Sequence, residues 1–288
     1  LIFWLSFLLF NNSFAQNTYV ILDSATNEAI PFASISCKET GFFTLSDEKG
    51  EWTMPDSITC KAFLISCSGY KPVELFFPVK TVKLSPLVIQ LQDVEIGGER
   101  ENVAVDNIRK LNCSYGFSPE KFSTTYGAYL GNPVKKSGWV RELSFHVSSI
   151  HKPDLDVPVR IRFFEWNEET QMPGEEISTS NLILKPSKKG WNKINLEKAY
   201  QDFPENGIVV AFELLSAGPS HYHEYKYRDK NRNKLTGKYY GWYLTASCCS
   251  DCEVKGFHYG ADKWYLWNKI GGNSFWAPAV KLKMSYSK

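Results

Sequence analysis

The stretch from Thr18 to Ile96 limits the fold of this chain more than any other feature. Short runs of Val, Ile, Leu and Phe alternate there with clusters of Asp, Ser, Asn, Gly and Pro. No helical period is sustained, so the segment reads as a small all-β domain. Tyr19–Leu22 is the first expected strand. Pro31 opens the next, Phe32–Ser36, where a strand's first residue loses no ladder hydrogen bond. Gly41–Leu45 and Glu51–Met54 are expected to form a hairpin about Ser46–Gly50, with Gly50 free to take a positive φ. Ala62–Ser66 is almost wholly apolar and reads as a central strand buried on both faces. Ser68–Pro72 is a turn, and Val82–Leu84 and Val88–Leu91 close the sheet.

The order of these motifs resembles the carboxypeptidase regulatory-like domain of exported Bacteroidetes proteins. The residues that carry the resemblance are Asp23 and Thr26, then Ile30-Pro31-Phe32-Ala33-Ser34-Ile35, then Asp47, Gly50 and Trp52. Ser66, Gly69, Tyr70 and Lys71 follow, and then Leu84, Leu91 and Val94. Trp52 stands where that family usually has Phe. The resemblance implies a seven-stranded, transthyretin-like sandwich over residues 16–96, acting as a spacer or docking module. Despite its name, a domain of that family is not itself a peptidase.

The chain has 288 residues, which suits one or two domains. It opens LIFWLSFLLFNNSFAQ, an apolar run of signal-peptide length followed by small residues at Ser13 and Ala15. Residues 1–15 are therefore expected to be an export signal, and nothing later has the length of a transmembrane helix. The expected location is periplasm, outer-membrane surface or secreted. The formal net charge is +2, so the chain as a whole has no attraction for nucleic acid. Seven Cys are present, and export allows some of them to pair.

Gly97 to Glu101 breaks the β pattern. Val105, Ile108 and Leu111 recur at a helical spacing, so residues 97–124 read as a connector with a short helix. β signals return from Thr125. Arg141–Val147 alternates strictly and so does Val157–Trp166, which reads VPVRIRFFEW. Gly190–Leu196, Gly207–Leu214 and Phe275–Met284 are further strands. Their spacing suggests a jelly-roll-like sandwich over residues 125–288, similar in pattern to galactose-binding-like modules of exported bacterial proteins.

Several short motifs invite a chemical reading. His221-Tyr222-His223-Glu224 contains H-x-x-E, part of a carboxypeptidase zinc site. Zinc catalysis needs three protein ligands and an open position, and His258 is the one His that follows this tetrapeptide in the sequence. Cys249 and Cys252 have C-x-x-C spacing, best read as a local disulfide in an exported loop. Lys226 to Lys234 is strongly basic, a composition that suits an acidic polymer or phosphate, but in a near-neutral chain it reads first as a solvated loop between strands. No Ser-His-Asp order, nucleophile elbow or phosphate-binding glycine loop occurs.

The late aromatic density is the most suggestive feature. Trp242, Trp264, Trp267 and Trp276, with Tyr239, Tyr240, Tyr243, Tyr259 and Tyr265, are flat faces of the kind that stack on sugars or peptide side chains; a sandwich core uses the same residues. His221, His223 and Asp262 would add hydrogen bonds. The expectation is an exported, non-catalytic binding or structural protein with no cofactor, whose C-terminal domain takes a glycan or another envelope protein. The rival readings are a metal-dependent hydrolase using His221–Glu224 and a protein-binding envelope-assembly or adhesion component.

Overall fold

The computed structural model of the protein describes residues 17–37, 39–76, 79–87, 100–117, 125–215, 217, 219–249, 254–260, 263–267 and 275–287. The fold is all-β, built of sheets packed as sandwiches. A single turn of 3-10 helix, Pro219–His221, is the one helical element among the described residues. No helix there is long and apolar enough to cross a membrane. Two compact units meet between Pro86 and Leu87, before the expected boundary at Ile96.

The first unit has seven strands: β1 (Thr18–Asp23), β2 (Ser34–Cys37), β3 (Phe42–Leu45), β4 (Glu51–Thr53), β5 (Phe63–Ser66), β6 (Val73–Leu75) and β7 (Thr81–Leu84). They form a three-stranded sheet, β4-β1-β7, and a four-stranded sheet, β3-β2-β5-β6. Alternation along β1 buries Tyr19 and Ile21, and the same period in the facing sheet buries Ile35, Phe63 and Ile65. Each such aliphatic side chain contributes about 1.5–3 kcal/mol by leaving water. Trp52 stacks on Tyr19 at 4.7 Å within its sheet and reaches Phe63 of the other sheet at 5.9 Å. Cys37 and Cys60 are joined in a disulfide.

Turn chemistry locks this unit. Asp23 Oδ1 accepts the backbone N–H groups of Ala25 at 2.6 Å and Thr26 at 3.1 Å, and Oδ2 accepts the Tyr70 hydroxyl at 3.0 Å. The Ala25 bond leads the contacts that hold the Asp23 carboxyl below its usual range. Ser46 Oγ accepts from the Ala33 N–H and donates to the Ile30 carbonyl.

Three expectations change here. β3 pairs with β2 and β4 pairs with β1, so Ser46–Gly50 is a corner between sheets and not a hairpin turn. β5 is central in its sheet but alternates, with Leu64 and Ser66 only half-buried, because one face alone meets the core. Pro31 and Phe32 form a turn ahead of β2. The expected strand at Val88–Leu91 lies outside the described residues.

The second unit begins with β8 (Arg100–Asp106), β9 (Lys110–Phe117), β10 (Thr125–Leu130), β11 (Gly138–Val147) and β12 (Val159–Asn167). Then follow β13 (Met172–Glu176), β14 (Leu182–Leu184), β15 (Gly190–Asn195), β16 (Gln201–Phe203) and β17 (Ile208–Leu214). It ends with β18 (Tyr222–Arg228), β19 (Lys234–Cys249), β20 (Gly256–Gly260), β21 (Lys263–Leu266), β22 (Phe275–Pro278) and β23 (Val280–Ser287). One sheet has seven strands, in the order β13-β12-β17-β10-β20-β21 with β14 also on β12. The other has nine, with the spine β18-β19-β11-β23-β8 and β9, β15, β16 and β22 on its flanks. The two inner faces share one core that includes Leu143, Phe145, Ile161, Phe212, Trp242 and Leu282.

The short helix expected within 97–124 is replaced by strands. β8 pairs antiparallel with β23 from Arg100↔Ser287 to Asp106↔Lys281, and β9 pairs with β19. Val103 and Val105 face the core at a two-residue period. The chain passes from one strand to the next at Asn107, whose side chain donates to the Pro278 carbonyl and accepts from the Val280 N–H. Ile108 falls in that junction and Leu111 is exposed, so the apparent helical spacing joins residues of unrelated roles.

Gly50 has a φ of +72°, and a Cβ there would lie 2.7 Å from the Ile21 carbonyl oxygen. Gly50→Ala therefore carries both backbone strain and a collision with backbone. It is expected to destabilise the protein by about 1–3 kcal/mol in denaturant titration. An unchanged midpoint would remove the strain argument.

Candidate functional site: a cleft on the seven-stranded sheet

Both faces of the seven-stranded sheet are occupied. Val159, Ile161 and Phe163 of β12 point into the sandwich core, as do Val210 and Phe212 of β17. The opposite face carries Arg160, Arg162, Phe164 and Trp166 from β12 and Val209, Ala211 and Glu213 from β17. Thr125 and Gly127 of β10, Tyr259 of β20 and Trp264 of β21 complete that face by register.

Charge on this face is arranged in pairs. Arg160 Nη1 donates to Glu213 Oε2 at 3.0 Å, and both side chains are 2% exposed. Arg160 Nε donates to Asn181 Oδ1 at 3.0 Å. Arg162 grips Glu176 through two hydrogen bonds, Nε at 3.2 Å and Nη2 at 2.6 Å, and lies 3.8 Å from Glu213. Burial disfavours the Arg162 charge, but Glu176 and Glu213 outweigh it and hold the guanidinium protonated. Thr125 stands beside Glu213 in register, and its hydroxyl is buried without a hydrogen-bond partner among the described residues.

Over this face opens a cleft of about 540 Å³. Its walls are Phe164, Tyr259 and Trp264, with Arg162, Glu176 and Lys263 as charged groups and Thr170–Gly174 on one rim. Trp264 meets Phe164 edge-on at 5.0 Å and Tyr259 at 5.2 Å. A Cβ at position 127 would approach Trp264 Cζ3 to 3.4 Å and Val209 Cγ1 to 3.0 Å. A side chain at Gly127 would therefore crowd Val209 and only touch the indole. Flat rings beside an oriented guanidinium–carboxylate pair suit stacking combined with directional hydrogen bonds.

The aromatic residues expected to form one platform separate into two groups. Trp242 is fully buried, donates its Nε1–H to the Val157 carbonyl at 3.0 Å and packs on Phe145, so it belongs to the core. Tyr240 is 1% exposed and accepts the Ala217 N–H, and it is core as well. Trp267 stacks on Tyr126 at 4.8 Å on the core side, and Trp276 packs against the same core. Trp264 and Tyr259 line the cleft, while Tyr239 and Tyr243 pack with His151 and Tyr265 stacks on His258. Asp262 lies outside the described residues.

His221 and His223 meet elsewhere, at the root of the β18–β19 hairpin. His221 Nδ1 and His223 Nε2 both contact Asp154 Oδ2, at 2.8 and 2.9 Å. Burial raises the Asp154 pKa, but the bonds from His223 and His221 outweigh it and hold the carboxyl below its usual value. Glu224 is exposed and alternates to the other face of β18, so H-x-x-E does not converge on one point. Among the described residues the one group spaced for a metal is Cys37, Glu39 and Cys60, and its two sulfurs are bonded to each other. Cys248 is disulfide-bonded too. The expected Cys249–Cys252 pair falls outside the described side chains.

Arg162, Glu176, Phe164 and Lys263 were not singled out by sequence reasoning, whereas Tyr259 belongs to the late aromatic cluster. The available signal was VPVRIRFFEW, where Arg160 and Arg162 alternate with residues of a fully apolar core face. The chain matches no family model, no curated protein and no solved structure.

Glu213→Gln leaves the buried Arg160 without its charged partner and is expected to cost about 3–5 kcal/mol in denaturant titration. Asp154→Asn tests the histidine clamp. A carboxyl held below its unfolded value of 3.8 stabilises fully above that value and loses the contribution as pH falls through the lower folded value. The wild type should exceed Asp154→Asn by about 1–3 kcal/mol at neutral pH, and the gap should close below about pH 4. A gap that widens with acid would contradict the assignment.

Proposed function

We propose that this is an exported, non-catalytic binding protein of the cell envelope, with carbohydrate as the ligand of the cleft beside Trp264. One observation carries the reading: three aromatic walls, Phe164, Tyr259 and Trp264, border an open cleft that also presents the oriented Arg162–Glu176 pair. Sugars offer apolar ring faces for stacking and hydroxyls that both donate and accept, which is the complement of such a surface. Disulfides at Cys37–Cys60 and at Cys248 support a route through an oxidising compartment. In this reading the first unit, with its resemblance to carboxypeptidase regulatory-like domains, is a rigid spacer. Its seven strands and its Asp23–Tyr70 lock are consistent with that role.

A glycan array probed with the full chain tests the proposal. Trp264→Ala is expected to lower binding about tenfold or more, since one aromatic platform is worth roughly 1–3 kcal/mol. Trp267→Ala, whose ring stacks inside on Tyr126, should leave it unchanged in folded protein. Equal loss in both variants, or no glycan bound by the wild type, would remove the cleft from the function.

A further inference from the structure

The basic stretch expected to be a solvated loop is a built hairpin. β18 and β19 pair from Tyr222↔Tyr240 to Arg228↔Lys234, and β18 is the edge of the nine-stranded sheet. The turn is closed by Asp229, whose Oδ1 accepts the N–H groups of Asn231 and Asn233 while Oδ2 accepts the Asn233 amide. Alternation gives the arm two chemically distinct faces. His223, Tyr225, Tyr227, Leu235 and Tyr239 share one. Lys226, Arg228, Lys234 and Lys238 share the other, with Glu224 the one acid there.

Glu224, opposite Lys238, compensates only part of the charge on that face. Residues 222–240 hold six Lys/Arg against two Asp/Glu, in a chain whose total is only +2. All six basic side chains are exposed. Arg228 sits directly opposite Lys234, a like-charge cross-strand pair that works against the hairpin. A local rule broken at a rigid, exposed element points to a use for the charge.

We propose that the hairpin is a docking arm for a polyanionic polysaccharide, independent of the cleft beside Trp264. Side chains on one strand face repeat every ~6.8 Å, so the array is extended and matches a chain of regularly spaced carboxylates or sulfates. A bilayer fits less well: the exposed apolar residues are Tyr227 and Leu235, and both lie on the face away from Lys226 and Arg228. Nucleic acid fits less well in the oxidising compartment that the disulfides favour.

The test uses the full chain with polygalacturonate and dextran sulfate, neutral dextran as the control, and phosphatidylglycerol vesicles as the rival surface. Wild-type protein is expected to bind the two polyanions and not neutral dextran. Binding should fall steeply as salt rises from about 0.1 M to about 1 M, where screening shortens to ~3 Å. The variant Lys226→Gln/Arg228→Gln/Lys234→Gln/Lys238→Gln should bind at least about tenfold more weakly, and Trp264→Ala should bind as wild type. If the fourfold variant does not fold, Arg228→Gln alone should reduce both the affinity and its salt dependence. Wild-type protein that ignores both polyanions, that binds vesicles instead, or that binds equally after the substitutions would overturn the proposal. Loss of polyanion binding in Trp264→Ala would overturn its independence from the cleft.

Discussion

The ion pair between Arg160 and Glu213 is the constraint around which the second unit is arranged. Two charges taken out of water are tolerable only when they meet each other with good geometry. Here they stand directly opposite on β12 and β17, in the middle of a sheet whose other face is apolar core. A one-residue slip would turn Arg160 into the core and Val159 and Ile161 out of it. The pair therefore specifies register as well as occupying space. Its consequences reach the cleft, because Arg162 lies two residues along the same strand and shares Glu213 while Glu176 aligns it.

The first unit reaches a defined structure by different means. Its core is smaller, and no buried ion pair appears among its described residues. Specificity there comes from turns: Asp23 to Tyr70, Ser46 to Ala33 and Ile30, and the positive φ of Gly50 at a sheet-to-sheet corner. The Cys37–Cys60 bond then ties β2 to the segment that follows β4. Such ties suit a small domain, where limited apolar area leaves little margin.

The same contrast decides what was legible in the sequence. Strand type was readable wherever one face met water, as in Arg141–Val147, because alternation is then visible residue by residue. Pairing was not. Gly41–Leu45 and Glu51–Met54 look like a hairpin because a five-residue polar turn joins them, and nothing local says that the chain changes sheets there. Asn102–Leu111 looked helical because Val105, Ile108 and Leu111 recur at three residues, while the partner that imposes β structure, β23, lies near the other end of the chain. Aromatic density likewise did not separate Trp242 from Trp264. Burial is set by which sheet face each indole meets, and that depends on non-local register.

The two surfaces on the second unit differ in how their charge is balanced, and this bears on what each can recognise. In the cleft, the charge of Arg162 is met by Glu176 and Glu213, and Lys263 is the one further cation among its walls, so an incoming ligand would gain little from long-range attraction. Selection there would fall to shape, stacking on Trp264 and hydrogen bonds in fixed directions. On the hairpin, Glu224 is the one carboxylate on the face of Lys226, Arg228, Lys234 and Lys238. Attraction there acts at a distance and discriminates charge density more than shape. Residues 222–240 carry a net +4 in a chain whose total is +2, so the remaining residues sum to −2. An extended anion would then meet one place rather than the whole molecule, and the cleft would be left open to a ligand chosen on other grounds.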